Sequence, residues 1–118
     1  MLKVECQHGG NGVRMDANLL KVISPYEVEV SLNKSNKLTI IDVRETYEVE
    51  RGKIPGAIHI PLSQLQNRIH QLEKDYEYVI VCETGSRSRV ATYLLNSLGY
   101  HAKNMVGGMV NWNGKVSK

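Results

Sequence analysis

Two apolar runs rich in β-branched residues constrain this chain most: KLTIIDV at 37–43 and YEYVIVC at 76–82. Each reads as a buried strand that stops at polar residues. Shorter strand signals lie at 57–60, where Pro61 ends the run, and in HAKNMV at 101–106. Helical patterns fill the intervals. Ser24, Pro25 and Glu27 form a capping box that opens a helix over 25–34. ETYEVERG predicts a short helix closed by Gly52. Ser63, with Gln66 three residues on, predicts the cap of LSQLQNRIHQL, in which Leu65, Ile69 and Leu72 recur at helical spacing. SRSRVATYLLNSLG sets Val90, Leu94 and Leu98 on one face, with Ala91 and Leu95 beside them, and Gly99 stops it. GGMVNWNG reads as a glycine-led turn into one or two helical turns.

Strands that alternate with helices predict an α/β domain with a largely parallel sheet and helices on both faces. In such sheets ligands collect outside the carboxyl ends of the strands. Asp42, Arg44 and Cys82 all fall there.

The chain of 118 residues suits one domain. It has no Phe, six Tyr and one Trp, so aliphatic side chains must fill most of the core. Its formal charge of +3 is small, and Lys and Arg are spread without a run, which argues against nucleic acid as a partner. No apolar stretch approaches the roughly 18 residues of a membrane span. MLKVECQHGGNGVRMD lacks the apolar core of a signal peptide, and HGGNG reads as a loop rather than a nucleotide fingerprint. Cys6 and Cys82 are too few for a disulfide framework, so the expected setting is a reducing cytoplasm.

The stretch VCETGSRSRV, 81–90, carries the chemistry. Cys82 is either a small buried residue ending a strand or a nucleophile. The hydroxyls, the glycine and the arginines that follow favour the nucleophile. The first N–H groups of the next helix have no intrahelical partner, and with the loop amides they can form a nest for an anion. Gly85 lets the chain curl there. A thiol over such a nest is favoured as thiolate, the reactive form. Phosphatases that use cysteine have a loop one residue longer before the arginine that clamps phosphate. Here Ser88 occupies that place, with Arg87 one position early and Arg89 one late. A loop shortened by up to about 3.5 Å of contour predicts a bowl better fitted to a terminal sulfur than to a phosphoryl group.

IIDVRETYEVERGKIPGAIHIPLSQL, VIVCETGSRS and LGY…NMVGGMVNW, in this order, resemble the rhodanese-like domain family over 24–113. The resemblance implies a five-stranded, mostly parallel sheet flanked by helices, with a domain over 24–114, an N-terminal extension over 1–23 and a short tail over 115–118. It implies an active loop from Cys82 to Arg87. Cys82 would take a sulfane sulfur from thiosulfate or another persulfide donor and pass it to a thiol or protein acceptor. The amides of Glu83, Thr84, Gly85, Ser86, Arg87 and Ser88 would cradle the outer sulfur, and Arg87 would attract an anionic donor. Asp42 and Arg44 would brace the pocket. No cofactor or metal is implied. Two alternatives use the same fold: a sulfur-relay module serving one protein partner, and an arsenate reductase or phosphatase.

The chain departs from the family pattern in two places. Lys53 stands where the family often has histidine, and reads as a surface cation. Glu83 puts a negative charge beside the nucleophile, which inside the pocket would oppose thiolate and thiosulfate alike. His59, His70 and His101 lack metal-ligand spacing, and Cys6 with His8 makes no site. Trp112 is expected to cap the core at the sheet edge, with Gly107 and Gly108 permitting close backbone approach. Arg89 is expected to face solvent.

Overall fold

A computed structural model describes residues 16–34 and 38–118; Cys6, His8 and HGGNG lie outside this range. Its centre is a parallel sheet of five strands: β1 (Val22–Ile23), β2 (Leu38–Asp42), β3 (Ile58–His59), β4 (Glu77–Val81) and β5 (His101–Met105). Their spatial order is β1-β5-β4-β2-β3, which puts the two long apolar runs side by side in the middle. Register pairs Ile40 with Val79, Ile41 with Ile80 and Asp42 with Val81. Both central strands therefore end at the same level, and the residues that follow them emerge together. β1 is an edge strand within the stretch read as an extension. It pairs Val22 with Asn104 and Ile23 with Met105. Two residues are too short for a periodicity to declare them.

Side chains alternate between two cores. Ile41, Ile80, Val43 and Cys82 pack toward α3 (Leu62–Arg68) and α4 (Ser86–Ser97), together with Leu65, Ala91 and Leu95. Ile40, Val79 and Val81 pack on the opposite face with Val28 and Leu32 of α1 (Pro25–Asn33). Trp112 packs against this second cluster, as the sequence predicts, and donates its indole N–H to the Lys115 carbonyl. The capping box of α1 is present in full: Glu27 N–H donates to Ser24 Oγ and Ser24 N–H to Glu27 Oε1.

Three sequence expectations change. α3 begins at Leu62 rather than after Ser63, because Leu62 N–H bonds the Val43 carbonyl and Gln64 N–H the Pro61 carbonyl. The buried face of α4 runs through Ser88, Ala91, Thr92 and Leu95, and Val90 is half exposed. The true stripe carries two small polar residues, which an apolar count passes over. The last residues, read as a tail, are pinned to the domain: Ser117 forms an antiparallel bridge with Lys53, with N–H···O distances of 2.8 and 2.9 Å. Lys53 itself is partly buried and donates through Nζ to the Ala57 carbonyl.

Candidate active site

Cys82 follows the last residue of β4 and is fully buried. The chain then turns through Glu83 and Thr84 to Gly85, whose φ of 100° is open to glycine and strained for other residues. α4 starts at the next residue, so its free amides open toward the sulfur. Two N–H groups reach it: Gly85 N–H at 3.1 Å and Ser88 N–H at 3.2 Å. Ser88 Oγ lies 3.2 Å from the same sulfur. Thr84 and Ser86 form the exposed rim, their hydroxyls 3.4 Å apart.

A second turn braces the loop from behind. Met109 N–H donates to the Cys82 carbonyl at 2.8 Å and Val110 N–H to the Glu83 carbonyl at 3.1 Å. This contact is why glycine is required at 108. A Cβ there would lie 2.5 Å from the Glu83 carbonyl carbon and oxygen and 2.6 Å from the Cys82 oxygen. The close approach expected of the glycine pair therefore has a concrete site, the Cys82 loop.

The charged groups are paired across the loop. Arg44 is buried and grips Asp42 with Nε and Nη2, at 2.8–3.1 Å. It also donates to the Gly52 carbonyl at 2.8 Å and meets Glu83 Oε1 at 3.1 Å. Arg44 thus ties the end of β2, through Asp42, to the Gly52 turn and to Glu83 of the Cys82 loop. Glu83 turns its carboxylate onto Arg44. The Arg44 carbonyl accepts from His59 Nε2 at 2.7 Å, which fixes the proton of that ring on Nε2, since a carbonyl cannot donate. Arg87, expected to attract an anionic donor, is held by Glu48 of α2 (Thr46–Val49), with two N–H···O contacts of 2.7 Å. These bonds from Arg87 hold the Glu48 carboxyl at about 2, against a usual 4.5, over the opposing effect of burial. Arg89 is exposed.

Glu48 and Asn104 are the site residues that sequence reading misses. Glu48 looks like one more acidic residue in a short helix. Within its own helix its carboxylate accepts from Glu45 N–H, the kind of contact any helix start makes. Asn104 is a buried amide in an interior strand, and that polar interruption of HAKNM is the signal that could have found it. Among the described residues no cluster of His, Cys, Asp and Glu is arranged to hold a metal ion.

The comparisons agree with this architecture. The family model for the rhodanese-like domain matches residues 24–115. The chain is 36% identical over 97 residues to a putative sulfurtransferase, YtwF, of Bacillus subtilis, covering 82% of this chain and 94% of that protein. It is 35% identical over 102 residues to the human thiosulfate:glutathione sulfurtransferase, covering 74% and 89%. A second Bacillus subtilis relative, the putative sulfur carrier protein YrkF, is 34% identical, and the match spans 59% of its length. Among solved structures, a rhodanese-like domain protein of Staphylococcus aureus superposes with a TM-score of 0.78 at 33% identity, covering 82% of this chain and 96% of that one. The chain belongs to the rhodanese-like domain family, whose members similar to it include sulfurtransferases.

Proposed function

We propose that the protein is a sulfurtransferase that carries sulfane sulfur as a persulfide on Cys82. The observation that carries this reading is the sulfur itself, held at the carboxyl end of the central strand with two backbone N–H groups aimed at it. These donors stabilise negative charge on sulfur and are fixed before any reaction begins. In the first half-reaction the Cys82 thiolate attacks the outer sulfur of the donor. A new S–S bond forms, the donor's own bond to that sulfur breaks, and its electron pair leaves with sulfite or a thiolate. In the second, an acceptor nucleophile attacks the outer sulfur of the persulfide. The S–S bond breaks and Cys82 regains its electron pair.

The same geometry disfavours phosphoryl transfer. A phosphoryl group needs a cation free to clamp its oxygens, and Glu48 already holds Arg87. Three carboxylates, Asp42, Glu48 and Glu83, face two guanidiniums, Arg44 and Arg87, so this cluster carries one excess negative charge. That balance favours donors of low negative charge, such as organic persulfides or polysulfides, over thiosulfate. No helix among the described residues is long and apolar enough to cross a membrane. We propose the reducing cytoplasm as its setting, where the buried Cys82 thiol remains available for loading.

Intact-mass measurement after incubation with a polysulfide or thiosulfate tests the reading. One added sulfur is expected, mapped to Cys82 and absent in Cys82→Ser. Sulfur found on Cys6, or on neither cysteine, would overturn it.

A further inference from the structure

Behind Cys82 lies a closed ring of polar contacts that fixes the direction of every proton in it. Asn104 donates through Nδ2 to the Gly85 carbonyl at 3.2 Å. A carbonyl only accepts, so the amide nitrogen must face Gly85 and Oδ1 must face Ser88. Oδ1 also only accepts. The single hydroxyl proton of Ser88 is therefore committed to Asn104, across 2.5 Å. What Ser88 Oγ presents to Cys82, 3.2 Å away, is a lone pair. A lone pair is satisfied by the S–H of a neutral thiol and repels a thiolate. The sulfur thus receives two charge-stabilising amides and one hydroxyl turned the opposite way. Ser88 and Cys82 are fully buried and Asn104 nearly so, which leaves solvent little room to reverse the arrangement.

We propose that Asn104 is a positioning residue which, by orienting the Ser88 hydroxyl, holds resting Cys82 toward its thiol form and restrains its reactivity. This deepens the sulfur-transfer reading, yet the protonation of Cys82 can be measured without any sulfur donor. The charged groups around the sulfur are Arg87 on α4, whose cation interacts with it and is held by Glu48 of α2, and Glu83 in the loop, held by Arg44 at the end of β2 together with Asp42. Substitution at Ser88 or Asn104 alters none of these charges.

The test is the pH profile of Cys82 alkylation by iodoacetamide in the full chain, each rate divided by its high-pH plateau. Asn104→Ala frees the Ser88 proton to turn onto the thiolate. The neutral-pH fraction of the plateau rate is expected to rise about five-fold or more, the scale of one charged hydrogen bond gained. Ser88→Ala removes the lone pair and is expected to raise that fraction less. In Ser88→Ala the further change Asn104→Ala should have no effect. If Ser88 instead donated to the thiolate, Ser88→Ala would lower the fraction. That result, an unchanged or lowered fraction in Asn104→Ala, or an Asn104 effect that persists without Ser88, would overturn the proposal. Ser88→Ala decides the matter alone should Asn104→Ala fail to fold.

Discussion

Glu83→Gln removes the excess negative charge beside the nucleophile while keeping the shape of the side chain. Glu83 is one-third exposed and pairs with an Arg44 that Asp42 already neutralises, so the substitution leaves the buried Asp42–Arg44 pair in place. Its effect on donors follows from Coulomb's law. For an assumed separation of about 8 Å between the carboxylate and a donor charge, and an effective dielectric between about 20 and 80, each donor charge would meet about 0.5–2 kcal/mol of repulsion. Thiosulfate carries two negative charges, but ionic screening over a Debye length of about 8 Å removes part of the sum. A net gain of about 1–2 kcal/mol, or roughly 5- to 30-fold in kcat/KM for thiosulfate, is expected. A neutral donor such as dimethyl trisulfide should change by less than about two-fold, since it presents no charge to repel. The assay is persulfide formation followed by mass with both donors at low and high salt, and the thiosulfate gain should shrink as salt rises. Equal gains for the two donors, or a gain indifferent to salt, would refute the electrostatic reasoning.

Three further outcomes are expected. The Glu48 value of about 2, depressed from 4.5, means that its stabilising contribution is complete above about 4.5 and is lost as pH falls toward 2. NMR titration should find that low value, and Arg87→Met should return it toward 4.5 and remove the corresponding part of the acid-unfolding profile. Gly108→Ala forces a Cβ against the carbonyls of Cys82 and Glu83 at a φ of 65°, and should cost about 2–4 kcal/mol in urea unfolding and abolish sulfur loading; unchanged unfolding and loading would count against the bracing role of the second turn. Ser24→Ala removes the α1 cap and should cost about 1 kcal/mol while leaving sulfur loading intact.

What the sequence made legible is what short segments decide for themselves. β-branched runs, the capping box at Ser24 and the glycine-bounded loop at Cys82 each depend on neighbours a few residues away, and each stands where the residues predict it. The misses have longer reach. β1 exists because β5 offers it an edge, not because two residues declare a strand. The start of α3 is set by a hydrogen bond to Val43, far back in the chain. Arg87 reads as a free cation until the fold brings Glu48 to it, and Glu83 reads as a charge beside Cys82, its direction open, until Arg44 turns it aside.

These last two pairs have one geometry. Arg44 and Glu48 flank the start of the segment after β2, while Glu83 and Arg87 flank the loop after β4, and both pairs join residues 39 apart in the chain. Because β2 and β4 are parallel neighbours in register, the two segments leave the sheet side by side with matching spacing, and the charges meet in opposite sense, Arg44 to Glu83 and Glu48 to Arg87. The parallel sheet thereby converts two local i, i+4 patterns into one lock across the nucleophile loop. A loop so held keeps its amides aimed at sulfur without a bound ligand. It also leaves both arginines neutralised, so the same contacts that organise the cradle withhold the cations an anionic donor would seek. Rigidity of the site and its expected preference for weakly charged donors are, on this view, one consequence of how β2 and β4 end together.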